Sequence, residues 1–145
     1  MCIRDRLSGI NEKLQINQHL TIQETFFQVG ILGADKKYHY HYSESKTVKA
    51  GESFAVRVNF MAEEPFKLTF KLKAPGSVKT FNSRSGKVTF DNSSQTVAVD
   101  YEIDPMRITL EHFWGTDSRD PIGDYEMSVF ANDKFIHKYN FKLVN

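Results

Sequence analysis

The chain has 145 residues, 40% hydrophobic and 26% charged, with a net charge of +1. That is one domain's length, able to hold a core without a metal or an internal disulfide, and the single cysteine, Cys2, excludes the latter. An aromatic content of 13%, including 12 Phe, excludes a disordered chain; no apolar run approaches a membrane span, and near-neutral charge argues against a dedicated nucleic-acid binder.

In chain order, Met1 to Arg6 carry no element signal, and residues 1–20 read as a leader or extension ahead of one domain over 21–145. Only Leu7 to Leu20 would hold a short helix. No apolar core follows Arg4 and Arg6, so no signal peptide is visible. As written the chain reads as cytoplasmic; with a native signal ahead of it, it would be periplasmic or secreted.

Thr21 to Leu32 is rich in β-branched and aromatic residues and predicts a long strand. Its alternation breaks at Phe26-Phe27, which predicts a bulge or a crossing between sheets. Tyr38-His39-Tyr40-His41-Tyr42 follows; on a strand the tyrosines share one face and the two histidines the other. After Gly51, the set Phe54, Val56, Val58 and Phe60 alternates with polar residues. Phe66, Leu68, Phe70 and Leu72 do the same, interleaved with Lys67, Thr69, Lys71 and Lys73. That basic stripe is expected to guard an edge strand against strand addition.

A short strand, Lys87 to Phe90, lies between two turn-rich stretches, and Val97, Val99, Tyr101 and Ile103 mark the next. If Ile108 and Leu110 face the core, His112 and Trp114 follow them, while Phe113 faces away. Tyr125, Met127 and Val129 alternate ahead of the turn Ala131-Asn132-Asp133-Lys134, with Phe130 on the opposite face. Phe135, His137, Tyr139, Phe141 and Leu143 make the last apolar set. Asn and Asp tolerate positive φ, so this turn predicts a tight hairpin. Strands with one wet face at roughly ten-residue spacing predict an all-β, two-sheet immunoglobulin-like antiparallel sandwich of about seven to nine strands.

The segment from Asp120-Pro121-Ile122-Gly123 through Phe141-Lys142-Leu143-Val144 resembles the closing hairpin of many bacterial immunoglobulin-like sandwiches. Upstream, Phe26 to Gly30, Gly51 to Phe60 and Phe66 to Gly76 follow an order similar to the uncharacterised bacterial domain-of-unknown-function family 3859. The resemblance spans roughly residues 22–144. It implies a sandwich, no activity and no catalytic residues.

Few constellations point to chemistry. His39 and His41 would ligate one zinc ion if His112, His137 or Glu111 supplied a third ligand. Asp117, Asp120 and Asp124 are loop carboxylates of the kind hard cations take. There is no Gly-x-Ser-x-Gly elbow, Walker loop or dinucleotide glycine pattern. The leading expectation is a non-catalytic interaction module with a protein partner. The second is a small-ligand or carbohydrate-binding sandwich that stacks on Tyr38, Tyr40, Tyr42 and Trp114. The third is a metal-dependent enzyme built on His39 and His41, with zinc as its cofactor. Oligomeric state is not legible, and neither nucleic acid nor a membrane span is expected.

Overall fold

Apolar-polar alternation is realised as eleven strands in a computed structural model, which describes residues 13–42, 46–77, 87–90 and 95–145. One sheet has β2 (Leu20–Leu32) at its heart, with β5 (Ser53–Ala62) and then β9 (Thr109–Gly115) on one side. On the other side of β2, β1 (Leu14–Asn17) pairs its start and β3 (Tyr38–Tyr42) its end. The second sheet runs β4 (Thr47–Lys49), β11 (Lys134–Val144), β10 (Gly123–Ala131), β6 (Phe66–Lys73), β8 (Thr96–Ile103), β7 (Lys87–Phe90). All pairs are antiparallel except β4 with β11.

The inner faces form one core. Phe54 of β5 stacks on Trp114 of β9 at 5.8 Å between ring centres and meets Phe141 of β11 at 4.7 Å. Tyr125 of β10 stacks on Phe141 at 5.2 Å. Burying each such side chain fully contributes about 1.5–3 kcal/mol. Two tyrosines of the six-stranded sheet also bond across the core: Tyr139 Oη lies 2.5 Å from Thr25 Oγ1, and Tyr101 Oη bonds His112 Nδ1. These bonds satisfy polar groups that would be costly to bury alone.

Two bulges set which aromatics are inside. In the β2–β5 ladder Ile22 faces Phe60 and Glu24 faces Asn59, so Gln23 is the extra residue. The phase flips there, and Thr25, Phe27 and Val29 follow Leu20 and Ile22 inward while Phe26 turns to the outer face. In the β10–β11 ladder Val129 faces His137 but Phe130 faces Phe135, leaving Ile136 extra. Ile136 is therefore buried, and Phe135, expected on the apolar face, is exposed and packs on Phe130 at 5.9 Å. The hairpin itself closes as expected, with Asn132 (φ 48°) and Asp133 (φ 67°) both left-handed between paired Ala131 and Lys134.

Two expectations are corrected. The segment expected to hold a helix contains strand β1, whose Leu14 and Ile16 pack on the core; its earlier part, 7–12, lies outside the described residues. Hydrophobic contact with β2, not local propensity, decides that stretch. A second short strand, β4, is not marked in the sequence pattern. The lysine stripe lies on β6, which is central between β10 and β8, so it guards no edge. Instead Lys67 meets Asp133 at 2.8 Å, Lys71 Nζ sits 5.4 Å from the Phe130 ring centre, and Lys73 faces Glu126 across the ladder.

Candidate functional site

The outer face of the five-stranded sheet is aromatic. Pairing with β2 places Tyr38, Tyr40 and Tyr42 beside Leu32, Gly30 and Gln28, so the three tyrosines share that face. The same parity brings Phe113 of β9 outward over Ala55. Tyr40 packs on Tyr38 at 6.5 Å and on Phe113 at 5.0 Å, and Tyr42 covers Phe26 at 5.3 Å. Tyr38 is 41% exposed and Phe113 47%.

Hydrogen bonds fix the tyrosines from beneath. Ser53 Oγ donates its only hydrogen to the Trp114 carbonyl at 2.7 Å, so the Tyr40 hydroxyl, 2.8 Å away, donates to Ser53. Tyr38 donates to the Gly51 carbonyl at 3.1 Å. A peripheral Arg57–Glu111 contact at 3.9 Å contributes little at that distance and exposure. Trp114, expected on this platform, is 1% exposed and faces the core. Phe113, one residue away in sequence, occupies the outer position instead.

The histidines do not converge. His39 is exposed and lies 3.0 Å from Asp35, whose carboxyl it holds below the ordinary carboxylate range. His41 is exposed. His112 lies between the sheets, 2% exposed, stacked on Phe70 at 5.5 Å and edge-on to Trp114 at 4.5 Å. Burial lowers its pKa to about 4, and its Nε2 has no hydrogen-bond partner among the described residues. A neutral imidazole held by Tyr101 is a core group here. His137 is half-buried against Tyr139 at 4.6 Å; burial, then nearby Lys46, lowers its pKa. Glu111 lies on the outer face beside Arg57.

Asp117 and Asp120 hold their own loop. Asp120, 3% exposed, accepts the Asp117 N–H at 2.9 Å, and Asp117 pairs with Arg119 at 2.7 Å. Asp124 lines a shallow depression of about 390 Å³ with Lys46, Asn140 and Lys142 on the other sheet. Among the described residues no group of three or more His, Cys, Asp or Glu side chains is placed to hold a metal ion. No helix among them is long and apolar enough to cross a membrane.

One further feature is diagnostic of the class. Tyr125, at the start of β10, donates its hydroxyl to the Pro121 carbonyl four residues upstream at 2.5 Å. This is the tyrosine corner seen where Greek-key sandwiches turn between sheets. Two packed sheets and this corner define an immunoglobulin-like β-sandwich. The family model described as PM0630 beta sandwich domain matches residues 27–144, and the chain belongs to that family.

A solved structure shares the fold. An immunoglobulin-like protein from Pseudomonas aeruginosa is similar at 15% identity and a TM-score of 0.57, over 81% of this chain and 90% of that one. The reeler domain of human F-spondin matches more loosely, at 15% identity and a TM-score of 0.35, over 81% of this chain and 79% of that one. No curated protein matches the sequence.

Proposed function

We propose that this domain is a non-catalytic interaction module that engages a protein partner through the outer face of its five-stranded sheet. The observation that carries this reading is the contiguous, partly exposed aromatic set Tyr38, Tyr40 and Phe113. Aromatic residues are enriched at protein interfaces, and burying them against a partner is where binding energy concentrates. The outer face of the other sheet is more polar: it carries Lys71, Lys73, Lys138 and Glu126 around one aromatic pair, Phe130 and Phe135. The rings are tilted by 40° and 59° to one another, which suits an irregular protein surface better than the flat face of a sugar. With Trp114 in the core, the small-ligand reading rests on the tyrosines alone. The metal-enzyme reading has no supporting geometry among the described residues. The resemblance to domain-of-unknown-function family 3859 supports a bacterial setting.

The test places a photo-crosslinking amino acid at Phe113, and separately at Lys138, and identifies captured proteins by mass spectrometry. The purified partner is then titrated. Phe113→Ser and Tyr38→Ser are each expected to weaken binding about tenfold or more, roughly 1.4 kcal/mol, and Lys138→Ser to leave it unchanged. Equal capture from both positions, or a partner indifferent to Phe113, overturns the reading. Saturable binding of a soluble sugar that Tyr40→Ala abolishes would replace it with the ligand-binding alternative.

A further inference from the structure

β9 is the edge of the five-stranded sheet, bonded to β5 in unbroken register from Ser53↔Gly115 to Asn59↔Thr109. The Ile108 carbonyl accepts from Phe60 N–H at 2.9 Å, and Thr116 N–H donates to the Glu52 carbonyl at 3.2 Å. Backbone direction alternates along a strand, so even-numbered residues aim their polar groups at β5. Those of Thr109, Glu111, Phe113 and Gly115 point the other way, and no described residue hydrogen-bonds to them there.

Open edges are ordinarily blunted by shortness, bulges, lysine or proline. β1 has four residues and a register shift, β4 has three and ends in Lys49, and β7 has four and begins with Lys87. β3, beside the end of β2, has five residues and neither lysine nor proline; β9 is longer, with seven residues, no bulge against β5, no lysine or proline, and Glu111 as its one charged residue. Among the described residues nothing pairs with it, which makes it an open template for another strand.

We propose that a second copy of this chain fills it, β9 against β9, antiparallel about a twofold axis at His112. In that register Glu111 faces Phe113 of the second copy and Thr109 faces Gly115. All four open residues then form hydrogen-bonded pairs, each exchanging two bonds. Centring on Phe113 instead leaves Thr109 unpaired, and centring on Glu111 sets two carboxylates against each other. The His112 register also brings Arg107 level with Asp117 of the second copy, two residues beyond each strand end. Arg107 is exposed and forms no ion pair among the described residues. The two five-stranded sheets become one continuous sheet, and the aromatic faces of both copies lie on the same side.

Sedimentation equilibrium of the full chain from about 1 μM to about 500 μM, the range of weak to moderate interfaces, tests this. The expected result is a monomer–dimer equilibrium in which amide exchange at Thr109, Glu111, Phe113 and Gly115 slows with concentration. Glu111→Pro removes an N–H that bonds no described residue within the monomer, and is expected to give a folded monomer at every concentration. Arg107→Glu is expected to weaken the dimer about tenfold and keeps the test alive if the proline variant does not fold. A monomer throughout, a dimer whose odd-numbered β9 amides exchange at a constant rate, or a dimer unaffected by Arg107→Glu overturns the proposal. So does an edge filled only by a different protein's strand.

Discussion

The Tyr40 ring lies across Gly30, in space that a side chain there would occupy: an added Cβ would sit 2.5 Å from Tyr40 Cε1. The missing side chain on β2 lets a tyrosine from the neighbouring strand reach over to β5 and hydrogen-bond Ser53. Gly30→Ala is therefore expected to displace Tyr40 and cost about 1–3 kcal/mol, the range for overpacking. It should also weaken partner binding in parallel with Tyr40→Ala. Urea midpoints for the two variants check this; an unperturbed Gly30→Ala protein would show that the ring does not occupy that space.

The bond between Tyr139 and Thr25 joins opposite sheets and positions 114 residues apart in sequence. Burial pushes the Tyr139 phenol well above its ordinary pKa, so it stays a neutral donor or acceptor. Tyr139→Phe removes the bond that the Thr25 hydroxyl makes across the core and is expected to lose about 1–2 kcal/mol. With Thr25→Val already in place, the same substitution should cost less. A double-mutant cycle by urea unfolding reads the coupling, and strictly additive losses would contradict it.

His112 links stability to pH. Burial lowers its pKa to about 4 in the fold, against an ordinary histidine value of 6.5. Between those values the unfolded chain binds a proton that the folded chain does not. Stability is therefore complete above about pH 6.5 and falls as pH drops toward 4, by up to ~3 kcal/mol. His137, shifted in the same direction, adds to the trend. Denaturation midpoints of the native chain and of His112→Gln, measured from neutral to mildly acid pH, should converge as pH falls. Parallel curves would mean that His112 takes up its proton as readily in the fold as in the unfolded chain.

Tyr125 anchors the turn into β10 through the Pro121 carbonyl. Tyr125→Phe keeps the ring stacked on Phe141 and removes only the hydroxyl. The expected cost is about 1–3 kcal/mol, because the carbonyl loses a well-aligned donor in a half-buried corner. Thermal unfolding checks it, and a change within the scatter of surface substitutions would mean that water replaces the bond.

Much of this fold is legible because strand period is a local property. The sets Phe54 to Phe60, Phe66 to Leu72 and Val97 to Ile103 each lie on the core face as their alternation implies. Leu110, His112 and Trp114 also share a face, although Ile108 ahead of them is exposed. What the pattern misses depends on neighbours. β1 has two apolar residues in four, too few to declare a period without β2 beside it. The lysine stripe of β6 has the composition of an edge, but strand order is fixed by pairings far apart in the chain. Ile136 and Phe135 exchange faces at a bulge that no residue in the run announces. The tyrosine face of β3 is readable from parity, whereas its partner Phe113 is ambiguous: its exposure depends on which strand covers it. The corner at Tyr125 has a sequence signal, an aromatic four residues after Pro121, that parity reasoning does not use.

The Asn132-Asp133 turn does more than reverse the chain. Asn132 N–H donates to the Lys67 carbonyl at 2.8 Å, and its side-chain oxygen accepts from Lys67 N–H at 2.9 Å, so the tip of one hairpin is clasped to the first residues of β6. Most other ladders join segments distant in sequence, which makes loop closure the slow event in folding. The β10–β11 hairpin can form early, since its turn residues already favour the required conformation. β6 can then dock through Asn132 before β8 arrives. Slowing that docking, for instance with Asn132→Gly, which keeps the left-handed turn and its backbone bond but removes the side-chain half of the clasp, should lower the refolding rate more than it raises the unfolding rate.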